Sequence, residues 1–334
     1  MLINSNIMKL FALPGMLKYL IFLCVIMSCK GLNQKSYDAK SKASANYGLN
    51  YEFMKSKINE SINNSTRITC DFKTIKKQTL DDMKLGIIAI PIAEKRIKKC
   101  IGSMSEADKD SLYILFNEVF YTTAIALTDS LETKYTPVIK KIRNKIHDSE
   151  VKQFISCLDL CGIDLLVTEG NYYLDVKYDY FYHLFKGKVS SSLDDFLKIR
   201  SRELKQGFSE DAFLLISFNE LYGRVVDWEN FKSKYPKFFM NDVAEYYYNV
   251  YLSTFLSGMS NSPTFDQEQD RLSPTVKKLY EKIIARNDSR RSTKVISEFY
   301  ALLKTTDFKM PANLNQFLKD RGLSTMIAVQ PDTR

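Results

Sequence analysis

The run Ser105-Glu-Ala-Asp-Lys-Asp-Ser-Leu-Tyr-Ile-Leu-Phe-Asn-Glu-Val-Phe120 decides the fold class. It opens with Ser105-Glu106-Ala107-Asp108, a hydroxyl residue followed three positions later by a carboxylate. That pattern satisfies free backbone N–H groups at a helix start. Beyond it, Leu112, Leu115, Phe116, Val119 and Phe120 recur at three- and four-residue intervals, which places them on one face of a helix.

The same period extends in both directions. Upstream, Tyr51, Met54, Ile58 and Ile62 form a stripe. Downstream, Thr136-Pro137 puts a proline in a first turn, and Val138, Ile142 and Ile146 follow. Phe154, Cys157, Leu158 and Cys161 form a further stripe, closed by Gly162. Later helices are expected near 210–222, 242–257, 274–287, 293–304 and 312–321, punctuated by Gly258 and Ser273-Pro274. With 12 Gly and 8 Pro in 334 residues, there is little punctuation for a turn-rich sandwich or barrel. No fixed-period repeat suggests a solenoid. The expected fold is mainly α, an irregular multi-helix bundle with room for a short strand pair near 172–184.

Residues 172–184 fit two periods. Apolar side chains at Tyr172, Leu174, Val176, Tyr178, Tyr180, Tyr182 and Leu184 alternate as in a strand. Asp175, Asp179 and His183 stand four apart, as on one helix face. Periodicity does not separate the two, and the helical surroundings weigh toward helix.

The sequence divides into a leader at 1–28, a polar tether at 29–48 and a main helical domain at 49–258. A loop at 259–273, C-terminal helices at 274–322 packed on that domain, and a tail at 323–334 complete it. Composition, 45% hydrophobic and 13% aromatic, supplies one large core or two modest ones. The formal net charge of +9 comes from basic residues interspersed with acids, the pattern of a solvated lysine-rich surface. It gives no reason to expect a nucleic-acid partner.

The leader carries the clearest message. Residues 16–29 read MLKYLIFLCVIMSC: Lys18, then a nine-residue apolar run from Tyr19 to Met27, then Ser28 and Cys29. The run suits a signal sequence and is too short to span a bilayer. A signal complete from residue 16 leaves Met8 or Met16 as candidate translation starts. Ile26-Met27-Ser28-Cys29 resembles the lipobox of bacterial lipoproteins, with an aliphatic residue, a small residue before the cut, and the cysteine. The resemblance covers the leader alone. It implies a diacylglyceryl group on the Cys29 thiol, cleavage before Cys29, and acylation of the new amine. More than one acyl chain makes such anchoring stable. The segment to Gly48 is rich in Ser, Lys and Asn and reads as a flexible tether.

Of the six cysteines, Cys24 lies in the leader and Cys29 is the lipid site. Four remain, as an oxidising compartment would suit. Sequence leaves three pairings open. Cys157 and Cys161, four apart on a helix, suit neighbouring buried thiols, and Cys70 with Cys100 is the more natural bridge.

Candidate chemistry gathers in two clusters. Glu169, Asp175, Asp179 and His183 bring carboxylates and an imidazole together, a set able to hold a metal or move protons. A solvated face of a tyrosine-rich element would look the same. Glu220, Arg224, Trp228 and Glu229 set acids beside the single tryptophan, which could stack on a sugar or frame a glycosidase pair. A helix junction would also account for them. Tyr246, Tyr247, Tyr248, Tyr251 and Phe255 concentrate aromatics on 242–255, and the loop 261–266 carries Phe265 beside Pro263. The basic stretch 277–294 could meet anionic lipid or glycan, or be a solvated helix face.

HExxH, GxSxG, P-loop, GxGxxG and paired CxxC motifs are all absent, and there are only two histidines. No resident metal or cofactor is expected, and the sequence assigns no catalytic residue. The expectation is a membrane-anchored envelope lipoprotein, facing the periplasm or cell surface. It would bind a peptide, glycan or envelope protein. A carboxylate-dependent envelope hydrolase and a structural assembly lipoprotein are the alternatives.

Overall fold

The computed structural model describes residues 49–63 and 69–323, apart from Glu169, Gln267 and Gln269, with the side chains of 61–63 excluded. Cys29, the leader, the tether and most of the tail lie outside the described residues. The fold is mainly α, with short two-stranded antiparallel pairs. No helix among the described residues is long and apolar enough to cross a membrane. The chain forms two compact units divided between Lys205 and Gln206. The division therefore falls inside the 49–258 span read from sequence as one domain, and residues 274–322 share a unit with 206–258.

In the first unit the helices are α1 (Tyr51–Asn63), α2 (Phe72–Asp82), α3 (Ala89–Cys100), α4 (Glu106–Leu131), α5 (Thr136–Arg143) and α6 (Ser149–Leu160). A strand pair follows, β1 (Ile163–Thr168) with β2 (Asn171–Val176), then α7 (Tyr180–Phe185) and α8 (Ser191–Gln206). The helix α4 is the axis. Its start is capped by Ser105, whose side chain accepts from the Asp108 N–H at 3.2 Å. Leu112, Phe116, Val119 and Phe120 are buried along it. It packs against α2, α3 and β2. The rings of Phe116 and Phe120 meet Phe181 of α7 at 5.8 and 5.2 Å. Burying each large ring contributes roughly 1.5–3 kcal/mol. A disulfide joins Cys70 to Cys100 across 30 residues. Cys157 and Cys161 are free and buried.

Residues 172–184 are strand first and helix second. Asn171 to Val176 pairs with Ile163 to Thr168, Asp164 standing across from Asp175. The weighting toward helix therefore fails for 171–176. The reason is tertiary: a β-branched partner run, Ile163-Asp-Leu-Leu-Val-Thr168, lies just upstream, beyond a turn at Gly170 (φ 78°). Leu174 then buries fully. Gly162 begins the pair at φ 67°, and a Cβ there would lie 2.3 Å from the Tyr180 ring. No residue but glycine fits.

In the second unit, β3 (Ser209–Glu210) pairs with β4 (Phe213–Leu214), followed by α9 (Phe218–Lys234) and α10 (Asn241–Ser257). Next, β5 (Gly258–Met259) pairs with β6 (Ser262–Pro263) and β7 (Phe265–Asp266) with β8 (Arg271–Leu272). The helices α11 (Pro274–Ile284), α12 (Arg291–Thr305) and α13 (Leu314–Lys319) end it. The expected helix at 210–222 is thus replaced at its start by a hairpin. The loop 259–273 is likewise two hairpins. The pair α9–α10 is the core: every residue of α10 from Val250 to Ser257 is buried. Trp228 of α9, fully buried, stacks on Tyr247 at 5.1 Å.

Candidate interaction site

Among its described residues, the first expected cluster does not form a metal centre. Asp179 lies just before α7, and its carboxylate bonds His183 Nε2 at 2.8 Å, with the imidazole largely in solvent. Asp175 sits on β2 and accepts its neighbour Val176 N–H at 2.8 Å. Glu169 lies outside the described residues. Lys177 pairs with Asp159 at 2.7 Å, and both act electrostatically on Asp164, as do Asp175 and Asp179. Partial burial raises the Asp164 carboxyl above its ordinary range. Asp159, Asp175 and Asp179 add to the rise, and Lys177 opposes it. Among the described residues no three His, Cys, Asp or Glu side chains are arranged to hold a metal ion.

In the second cluster each polar group already has a structural task. Glu220 completes a capping box: its carboxylate accepts the Ser217 N–H at 2.9 Å, which holds its pKa below the usual value. The sequence Ser217-Phe-Asn-Glu220 carries that signature openly. Arg224 is buried. It donates to the Gly207 carbonyl at 2.5 Å and the Gln206 side chain at 3.2 Å, and lies over the Tyr251 ring at 5.4 Å. Glu229 accepts the Ser292 hydroxyl at 2.5 Å and the Ser292 N–H at 3.3 Å, anchoring the first turn of α12. Trp228 has no exposed surface on which a sugar could stack. Asp175 and Asp179 belong to one unit, Glu220 and Glu229 to the other.

A different surface stands out in the second unit. Strand β4 continues as Phe213-Leu214-Leu215-Ile216, with Leu214 and Ile216 buried and Phe213 and Leu215 exposed at 53% and 48%. Two neighbouring large apolar side chains so open to water are unusual on a hairpin of this size. The turn before them is Asp211-Ala212, both in the left-handed region (φ 47° and 53°), which an alanine rarely adopts. A second hairpin holds it. Asn261 donates its N–H to the Ala212 carbonyl at 3.0 Å and its side-chain amide to the Asp211 carbonyl at 2.6 Å. The Leu214 N–H donates to the Ser262 hydroxyl at 2.9 Å.

The clamp is itself pinned. Gly258 (φ 72°) could not carry a side chain, since a Cβ would lie 2.4 Å from the Thr264 nitrogen. Phe265 is buried and pairs across the strands with Leu272. The Ser273 N–H bonds the Thr264 carbonyl at 3.0 Å, and the Leu272 N–H bonds the Phe308 carbonyl at 2.8 Å. The hairpins and the turn after α12 therefore form one hydrogen-bonded end. Residues 207–215, 258–272 and 306–311 carry six acids against two basic residues, with Lys277 over the Phe308 ring beside them, so the hairpin loops themselves are acidic.

Compared with known proteins, the chain matches no family model, no curated protein and no solved structure.

Proposed function

We propose that this chain is a lipid-anchored envelope protein that works as a binding module. Its contact surface is the hairpin end of residues 206–323, and its partner is a protein segment with apolar and basic side chains. The observation that carries the reading is the exposure of Phe213 and Leu215 on a turn whose strained conformation a second hairpin holds in place. Backbone strain of this kind costs roughly 1–3 kcal/mol and persists where surrounding structure enforces it, often at functional surfaces. A rigid apolar knob loses little entropy on binding. The surrounding acids favour a basic partner and disfavour an acidic glycan. The lipobox-like leader and the polar tether supply the anchor.

The hydrolase alternative finds less support. Glu220 and Glu229 are committed to helix starts, which leaves neither free to act on a substrate.

A photoreactive amino acid at position 213, in cells, tests the proposal. The expected result is one dominant crosslinked protein that disappears when Leu215 is also changed to Glu. The same probe at Lys237, exposed on the connection between α9 and α10, should not capture it. Equal capture from both positions, or none from position 213, would sink the reading.

A further inference from the structure

The opposite end of the second unit has a contrasting character. Helices α9 and α10 run antiparallel, joined through residues 235–240, and Lys232 pairs with Glu245. Arg291, at the start of α12, bonds Glu245 at 3.2 Å and the Arg321 carbonyl at 2.7 Å. The end of α9, the start of α10 and the start of α12 therefore meet. At about 1.5 Å per residue, the length of α10 sets this end roughly 25 Å from the hairpins.

Phe239 projects from the α9–α10 connection, 45% exposed, between buried Phe238 and Met240. Phe238 packs edge-on against Phe231 at 5.1 Å, so its burial holds the neighbouring ring outward. Exposed Lys234 and Lys237 precede it. Across 232–245 and 286–294 there are seven basic residues and three acids. Glu245 is taken by Lys232 and Arg291, and Asp288 by Arg290, leaving Asp242. Lys237, Arg286 and Lys294 are exposed and have no acidic partner among the described residues.

We infer that this end docks on a bilayer of anionic phospholipid, with Phe239 entering the headgroup boundary and Lys237, Arg286 and Lys294 meeting lipid phosphates. An outward aromatic on an end that carries exposed cations is the chemistry of interfacial segments. Cations near an anionic leaflet each strengthen binding about fivefold. The inference rests on the anchored reading for the membrane's proximity: anchoring raises the local concentration of lipid, so a few cations suffice.

Vesicle sedimentation tests this with the chain from residue 29 carrying Cys29→Ser, so that no lipid anchor contributes. The expected result is binding to phosphatidylglycerol-containing vesicles, lost in high salt, and little binding to pure phosphatidylcholine. The triple change Lys237→Glu, Arg286→Glu, Lys294→Glu should weaken it at least roughly a hundredfold, and Phe239→Ser should weaken it further. A control triple with the same charge change near the hairpins, Lys278→Glu, Lys304→Glu, Lys309→Glu, should retain most binding. Circular dichroism checks that each variant is folded. The inference is overturned if the two triples lose equally, if wild type ignores phosphatidylglycerol, or if an oligonucleotide binds tighter than the vesicles. Because lipidation is removed, failure here leaves the anchor at Cys29 untouched.

Discussion

Asn261 donates its side-chain amide to the carbonyl of Asp211 at 2.6 Å, joining two hairpins fifty residues apart in sequence. That bond and its backbone companion to Ala212 hold a turn in which two consecutive residues adopt left-handed backbone without a glycine. The clamp predicts two opposite effects. Asn261→Ala should release the turn, speeding amide exchange across 209–214 and lowering stability by about 1 kcal/mol. Ala212→Gly should raise stability by about 0.5–1 kcal/mol, because glycine adopts this backbone freely. Urea melts measure both. A destabilised Ala212→Gly variant would show that the turn is not strained as described.

The cysteines predict a second pattern. Closing a 30-residue loop restricts the unfolded chain, a contribution of about 3–4 kcal/mol. Cys100→Ala should lose that much in chemical denaturation. Cys157 and Cys161 behave differently: burial pushes the Cys157 thiol up to about 11 and raises Cys161 as well. At pH 8 neither supplies thiolate, so alkylation should await unfolding. Rapid labelling of the native protein at either position would contradict the described core.

Asp164 predicts an inverted pH effect. Its folded pKa is raised, with burial the first cause, so the folded state holds its proton more tightly than the unfolded state. Stability from this group is full below the ordinary carboxylate pKa and falls as pH rises through the raised one. Asp164→Asn should therefore raise Tm at pH 7, and the gain should vanish under acid conditions below the ordinary carboxylate pKa. A Tm lowered at pH 7 would mean that the carboxylate is needed as an ion, with Lys177 its main partner.

How legible all this was in the sequence varies by element. The cap at Ser105 and the apolar stripe from Leu112 to Phe120 are local signals, and α4 lies where they put it. Residues 171–176 are ambiguous alone because their strand is defined by its partner, Ile163 to Thr168. The hairpin tip is harder still. Ala-Phe-Leu-Leu-Ile at 212–216 reads as apolar helix interior, but it pairs back on Ser209–Glu210, with further bonds from Asn261 and Ser262 far along the chain. Hence Phe213 carries no local mark of exposure. Glu220 is the reverse case: its capping role is written in Ser217-x-x-Glu220. Glu229 is not legible, since Ser292 lies 63 residues away.

The proposed role depends on delivery of this body to a membrane through Cys29. Intact-mass analysis of protein extracted from the membranes of cells making the full chain tests that claim directly. The predicted result is a chain beginning at Cys29 and carrying a diacylglyceryl group with an added acyl chain. An unmodified chain whose N-terminus lies upstream of Cys29 would contradict it.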